Sequence, residues 1–339
     1  MKKRVLTGIN TTGTLHIGNY VGAIRPAIRD SRNPDTESFF FMADLHALIK
    51  CQDPARIARS RLQIAATWLA AGLDPERVVF YRQSDIPEIP TLNWLLTCST
   101  GKGQMNRAHA YKAAVDQAVA AGRDPDADVS MGLFCYPILM AADILLYQAD
   151  LVPVGQDQMQ HIEIARDIAA RFNNLYGQTF VLPEGFIPKS GARVMSLADP
   201  SRKMSKSDEN PKSYVSILDP KDTIIKKFKS AVTDSGSEVR RGEDKPGINN
   251  LISIYCAFIG KTPEEIEKEF EGKGYGTFKA AVGEAAADVL APIGAEYTRL
   301  MADKGYLEAL MKKGKEQAEF RASRTLRKVY KKVGFAQLP

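Results

Sequence analysis

Cysteine is scarce in this chain: there are four in 339 residues, at Cys51, Cys98, Cys135 and Cys256, and no two form a Cys-x-x-Cys pair. That spacing argues against a zinc or iron–sulfur centre and fits a reducing compartment. Long hydrophobic runs are missing too. No apolar stretch approaches the roughly 18 residues a membrane helix needs, so no membrane span is expected. Met-Lys-Lys-Arg at the start leads into only a few apolar residues before Gly8 and Asn10. No signal-peptide core is expected there, and the expected location is cytoplasmic. Internal repeats and low-complexity linkers are absent as well. What remains is 44% hydrophobic and 25% charged, the profile of a globular protein able to bury sizeable cores. A net charge of +6 fits a polyanionic partner without demanding one.

Strand and helix signals alternate through the first two thirds of the chain. Short apolar runs at 4–9, 38–43, 78–81 and 151–154 read as strands. Helical stretches are expected at about 18–29, at 86–98 and at 137–147. Another opens at Asp53-Pro54, carries the stripe Ala58, Leu62, Ala65 and Leu69, and closes at Gly72. This alternation predicts an α/β fold with a Rossmann-like parallel sheet. After about residue 208 the text becomes helical, with Asp219-Pro220 opening one helix and Thr262 to Glu265 forming a capping box. The expected organisation is therefore a catalytic domain at 1–208, with a helical insertion around 100–180, and an all-helical C-terminal domain at 209–339.

Two segments carry phosphate chemistry. Thr7–Asn19 reads as strand, glycine-rich turn and helix start, the usual nucleotide cradle of an α/β protein, with Gly8, Gly13 and Gly18 permitting close backbone approach. It is neither a Walker A loop nor Gly-x-Gly-x-x-Gly. His16 stands where a ring N–H could reach a phosphate oxygen, and a surface histidine in a tight turn is the alternative. Lys-Met-Ser-Lys-Ser at 203–207 places two ammonium groups three residues apart, able to follow charge onto a leaving pyrophosphate. A solvated basic loop is the plainer alternative. Farther inside, Tyr136, Met140, Asp143 and Tyr147 share one helix face if the helix is entered at Pro137. Asp143 lies among Ala141, Ala142, Ile144, Leu145 and Leu146, so its carboxylate needs a donor, from a ligand or from a nearby arginine. Indole offers one N–H donor and no acceptor, which suits a group that only accepts. Gln158 and His161 share a polar face opposite Ile162, Ala165 and Phe172. Arg321, Arg324, Arg327, Lys328, Lys331 and Lys332 form a basic stripe suited to phosphates, or a solvated face.

The chain resembles class I aminoacyl-tRNA synthetases, and within them the bacterial-type tryptophanyl branch. The matching text is Thr-Leu-His-Ile-Gly-Asn-Tyr at 14–20, Asp-Leu-His-Ala at 44–47, Met-Ala-Ala-Asp-Ile-Leu-Leu-Tyr at 140–147 and Val-Pro-Val-Gly-Gln-Asp-Gln at 152–158. It continues through Lys-Met-Ser-Lys-Ser, Ser-Ala-Val-Thr-Asp-Ser at 230–235 and Phe-Glu-Gly-Lys-Gly-Tyr-Gly at 270–276. Asn10-Thr11-Thr12-Gly13 departs from the Gln-Pro-Ser-Gly common in the family, and Asn19 ends the His-Ile-Gly-His-type element.

The resemblance implies ATP contacts at Asn10, Thr11, Thr12, Gly18 and Asn19, at Gly155, Gln156 and Asp157, at Val194 by its backbone, and at Lys203, Met204, Ser205, Lys206 and Ser207. It implies a tryptophan contact at Asp143, with Tyr136 and Gln158 on the α-amino group; Met140 offers a polarisable thioether to an aromatic ring, and His46 is expected to touch substrate or brace the sheet end. His161 is open to the same two roles. Catalytic groups are expected to be His16, Lys112, Lys203 and Lys206, acting by positioning and charge stabilisation. The implied reactants are ATP with Mg²⁺, L-tryptophan and tRNA(Trp); the implied state is a homodimer whose helical domain reads the anticodon. Tyrosine as the amino acid, or a non-catalytic RNA-binding paralogue, are the rival readings.

Overall fold

The computed structural model describes residues 2–9, 15–187, 193–205 and 208–336. Strand β1 (Lys3–Ile9) precedes α1 (Ile17–Asn19), a π-helical turn at Tyr20–Ile24 and α2 (Arg25–Asp30). Strand β2 (Thr36–Met42) is followed by α3 (Asp44–Ala47) and α4 (Pro54–Ala70), and β3 (Val78–Arg82) by a 3₁₀ turn at Gln83–Asp85 and α5 (Glu88–Ser99). Then come α6 (Lys102–Met105), α7 (His109–Ala120), α8 (Met131–Leu146) and β4 (Leu151–Pro153). A second 3₁₀ turn, Gln156–Gln158, leads into α9 (Met159–Tyr176) and β5 (Glu184–Phe186). The named elements that follow are helices: α10 (Lys221–Lys229), α11 (Pro246–Ile259), α12 (Pro263–Glu269), α13 (Tyr275–Ala302) and α14 (Lys304–Val333).

The strands form one parallel sheet in the order β3-β2-β1-β4-β5. Parallel strands are covered on both faces, which is why β2 reads as an unbroken apolar run. Its side chains alternate between two cores: Phe39 and Phe41 join one, Phe40 and Met42 the other. Strand β1 divides the same way, with Leu6 in the first core and Ile9 in the second. The strand order reverses between β1 and β4, the switch point outside whose carboxyl ends doubly wound sheets bind ligands.

Several sequence expectations shift. Helix α8 begins not at Pro137 but at Met131, because Ser130 caps it by accepting from the Leu133 N–H at 3.1 Å. Pro137 sits inside, where its missing N–H costs one rung of the helix ladder. Strand β4 falls where a strand is expected at 151–154, within the span also assigned to a helical insertion, and β5 has no counterpart among the expected strands. Helices α10, α11 and α13 extend the core beneath Ile9, Phe40 and Trp68, whereas α14 crosses to the other face and places Ala318, Ala322, Leu326 and Val329 against Leu6, Phe39 and Tyr81. Helix α14 also runs along β3, the edge strand, and its Gly314 lies against the Phe80 carbonyl so closely that a Cβ there would overlap the oxygen.

Candidate active site

The first phosphate segment leaves β1 at the switch point. Beyond it, Leu15 and Ile17 pair antiparallel with the segment Val215–Ile217, through Ile17 N–H to Val215 O (2.9 Å) and Ile217 N–H to Leu15 O (3.2 Å). His16, almost fully buried, caps the helix that follows. Its Nδ1 accepts from the Gly18 N–H at 3.1 Å, while the Asn19 side chain accepts from the His16 N–H at 3.0 Å. Because Nδ1 is an acceptor here, the neutral ring carries its proton on Nε2 and offers a donor there. Gly18 is required by contact rather than by dihedral: a Cβ at this position would lie 2.8 Å from Cε1 and 2.9 Å from Nδ1 of the His16 ring.

The second segment is a tight hairpin. Ser196 N–H donates to Arg202 O (2.8 Å), Met204 N–H to Val194 O (3.1 Å), and Met195 bridges Lys203. Alternation along this strand buries Met204 and leaves Lys203 and Ser205 exposed. Met204, Val194 and Ile17 enter the same core, so the methionine between the two polar neighbours is the anchor of the loop. Asn250 of α11 fastens the hairpin to the helical part, accepting from Met195 N–H (2.9 Å) and donating to Met195 O (3.0 Å). The two motifs meet at Gly18, whose Cβ, if present, would stand 3.5 Å from that of Val194.

Asp143 lies within α8, 0% exposed. Burial pushes its carboxyl up, and hydrogen bonds from His46 and then Gln83 pull the other way. His46 Nε2 lies 3.0 Å from Oδ2, and Gln83 Nε2 lies 2.9 Å from Oδ1 and 2.8 Å from Oδ2. The buried carboxylate thus has its donors from the protein, and neither is an arginine. His46, open to a substrate contact or to bracing the sheet end, is hydrogen-bonded to this carboxyl. Tyr136 packs its ring edge-on between His46 and His161, and its hydroxyl is hydrogen-bonded to His161 Nε2 at 2.7 Å. Met140 is half-buried on the same helix face as Asp143. Gln158, Gly155 and Gln156 lie exposed at the 3₁₀ turn after β4, on the other side of the switch point.

Lys112 is exposed on α7, and none of the described site residues is bonded to its ammonium group. Asn10, Thr11, Thr12, Lys206 and Ser207 lie outside the described residues, as does the side chain of Asp157. Of the basic stripe on α14, Arg321 is tied to Glu37 at 2.6 Å and Lys328 to the Thr179 carbonyl at 3.0 Å. Arg324, Arg327, Lys331 and Lys332 are exposed. Sequence reasoning passed over Gln83 and Asn250. The first had a legible signal, being a polar residue immediately after a parallel strand, where such sheets keep their sites. Nothing in the helical pattern singles out the second.

A parallel sheet with a histidine-capped turn at its switch point and a lysine hairpin beside it defines a nucleotide-handling α/β enzyme. The family model for class I tRNA synthetases of the W and Y type matches residues 1–291, and the chain belongs to that family. It is 46% identical to a tryptophan–tRNA ligase of Clostridium perfringens over 98% of both chains, and 52% identical to one of Pseudomonas putida over 98% of this chain and 74% of the other. Among solved structures, the tryptophanyl-tRNA synthetase of Campylobacter jejuni, complexed with ADP and tryptophan, superposes with a TM-score of 0.82 at 36% identity, covering 98% of this chain and 100% of that one.

Proposed function

We propose that the protein is a tryptophan–tRNA ligase, a synthetase that joins L-tryptophan to tRNA(Trp) with ATP. The observation that carries the amino acid is Asp143. A fully buried carboxylate, donated to by His46 and Gln83, is an acceptor with no proton to give, which matches an indole N–H and mismatches a phenol that must also accept. The full-length similarity to tryptophan–tRNA ligases supports the same choice.

The tryptophan carboxylate attacks the α-phosphorus of ATP in line, the bond to the bridging oxygen breaks, and pyrophosphate leaves with the Mg²⁺ that entered on the nucleotide. No side-chain nucleophile is needed; positioning and charge stabilisation suffice. In this reading Asn10–Thr12, Gly18, Asn19, Gly155–Asp157 and the Val194 backbone hold ATP. His16 donates from Nε2, Lys112, Lys203 and Lys206 follow the developing charge, and Met204, Ser205 and Ser207 contact ATP beside them. Met140 lies against the indole, and Tyr136 and Gln158 face the α-amino group. A ribose hydroxyl of the terminal tRNA adenosine then attacks the adenylate and releases AMP. The exposed Arg324, Arg327, Lys331 and Lys332 are assigned to tRNA phosphates, and the helices beyond 209 to the anticodon. A cytoplasmic homodimer completes the proposal.

Amino-acid-dependent ATP–pyrophosphate exchange tests it. Tryptophan is expected to support exchange and tyrosine not; exchange with tyrosine alone, or with no amino acid, overturns the reading. Asp143→Asn is expected to lower kcat/KM for tryptophan by about 1.5–3 kcal/mol, the scale of a hydrogen bond to a charged group. An unchanged kcat/KM would mean that Asp143 does not read the indole.

A further inference from the structure

The geometry points to Gln83 as the residue that positions the indole-reading carboxylate, fixing Asp143 in one orientation and as an acceptor. The inference rests on the tryptophan reading above and concerns a side chain argued to act through Asp143.

Gln83 is 0% exposed and sits in the turn directly after β3. Its amide is used at both ends. The Nε2 group donates to Oδ1 and Oδ2 of Asp143, at 2.9 and 2.8 Å, while Oε1 accepts from the backbone N–H of Leu45 (3.0 Å) and of His46 (3.4 Å). These neighbours settle which end is nitrogen. Reversed, the amide would oppose two N–H groups with its own donors and a carboxylate with its own oxygen. The turn that carries it is pinned in turn by Asp44, whose Oδ1 accepts from the Ser84 N–H (2.9 Å) and whose Oδ2 accepts from the Ser84 hydroxyl (2.6 Å).

One side chain therefore joins three things: the carboxylate on α8, the start of α3 from which His46 projects, and the carboxyl end of β3. Oδ2 of Asp143 receives both Gln83 and His46, whereas Oδ1 receives Gln83 only, so Oδ1 is the oxygen with acceptor capacity to spare. Among the natural side chains of this length, only glutamine both donates to a carboxylate and accepts from two amides. Glutamate has the shape without the donor unless it is protonated. Methionine has the length without either function.

The test is the pH profile of tryptophan KM in ATP–pyrophosphate exchange for wild type, Gln83→Glu and Gln83→Met. In Gln83→Glu two carboxyl groups face each other at hydrogen-bonding distance and cannot both ionise cheaply. While the pair retains one proton, the glutamic acid donates to Asp143 and tryptophan KM stays near wild type. As pH rises and that proton is lost, KM is expected to climb on the order of tenfold or more, with KM for ATP unchanged. The other titratable groups around Asp143 are His46 and Asp44 from α3, Tyr81 from β3 and Tyr147 at the end of α8, with Arg61 beyond Asp44. All are common to both proteins, so the wild-type profile subtracts them. Gln83→Met is expected to raise tryptophan KM on the order of tenfold at every pH, and it stands in if Gln83→Glu does not fold. A folded Gln83→Glu whose tryptophan KM tracks wild type throughout, or a Gln83→Met with unchanged KM, overturns the inference. Wild type without tryptophan-dependent exchange overturns the substrate reading instead, and this inference with it.

Discussion

Gly18→Ala is expected to lower kcat for ATP–pyrophosphate exchange by about 10²- to 10³-fold, the loss typical of removing one preorganised donor from a developing charge, with tryptophan KM little changed. The added methyl has no room. It would meet Cε1 and Nδ1 of His16 at 2.8 and 2.9 Å, so the ring must swing away. In doing so it gives up the hydrogen bond from the Gly18 N–H, the contact that makes Nδ1 the acceptor and leaves the ring proton on Nε2. The variant thus removes the orientation and tautomer of His16 without touching its chemistry. If His16 acts through Nε2, Gly18→Ala and His16→Ala will cost about the same, and the double variant little more, because all three delete one interaction. A kcat within a few-fold of wild type for either single variant would show that His16 serves the turn and not the phosphates.

Gly314→Val is expected to destabilise the fold by about 3 kcal/mol or more, placing it among the severe core substitutions. Most overpacking is relieved by a neighbouring side chain changing rotamer. Here the obstacle is backbone: the new Cβ would overlap the Phe80 carbonyl oxygen and stand 2.7 Å from its carbon. Relief requires α14 to lift off β3. That movement unpacks Ala318, Ala322, Leu326 and Val329 from the core they share with Tyr81 and Leu146. Urea unfolding of the variant should show a lower midpoint with little change in slope, and Gly314→Ala should fall between. A midpoint equal to wild type would mean that α14 rides higher on the sheet than described.

The parts of the fold legible in the sequence were those with a strong local cause. Strand β2 announced itself by consecutive aromatic residues, which only a sheet covered on both faces accommodates. The Asp53 and Thr262 caps marked two helix starts because each side chain satisfies backbone donors that nothing else reaches. Strand β5, three residues of Glu-Gly-Phe, has no periodicity to find; its place is decided by pairing with β4. Helix α14 carries a helical pattern along its whole length, but no local signal says which core it joins. In the site, the need of Asp143 for a donor followed from its apolar neighbours. The identity of that donor did not, since Gln83 is distant in sequence and reaches Asp143 only once β3 and α8 are side by side. His16 and Gly18 were legible as a motif, whereas their mutual contact depends on the ring lying across the glycine.

The covering of β3 by α14 has a consequence for biosynthesis. Strand β3 is the open edge of the sheet on one side, and an uncovered edge invites pairing with other chains. Its cover comes from far downstream: Glu76, just before the strand, finds its ion-pair partner Lys313 237 positions later. A ribosome emitting this chain will have exposed the sheet long before the protecting helix emerges. Nascent chains halted before α14 are therefore expected to lean on chaperones or to pair along this edge, which α14 covers in the finished protein.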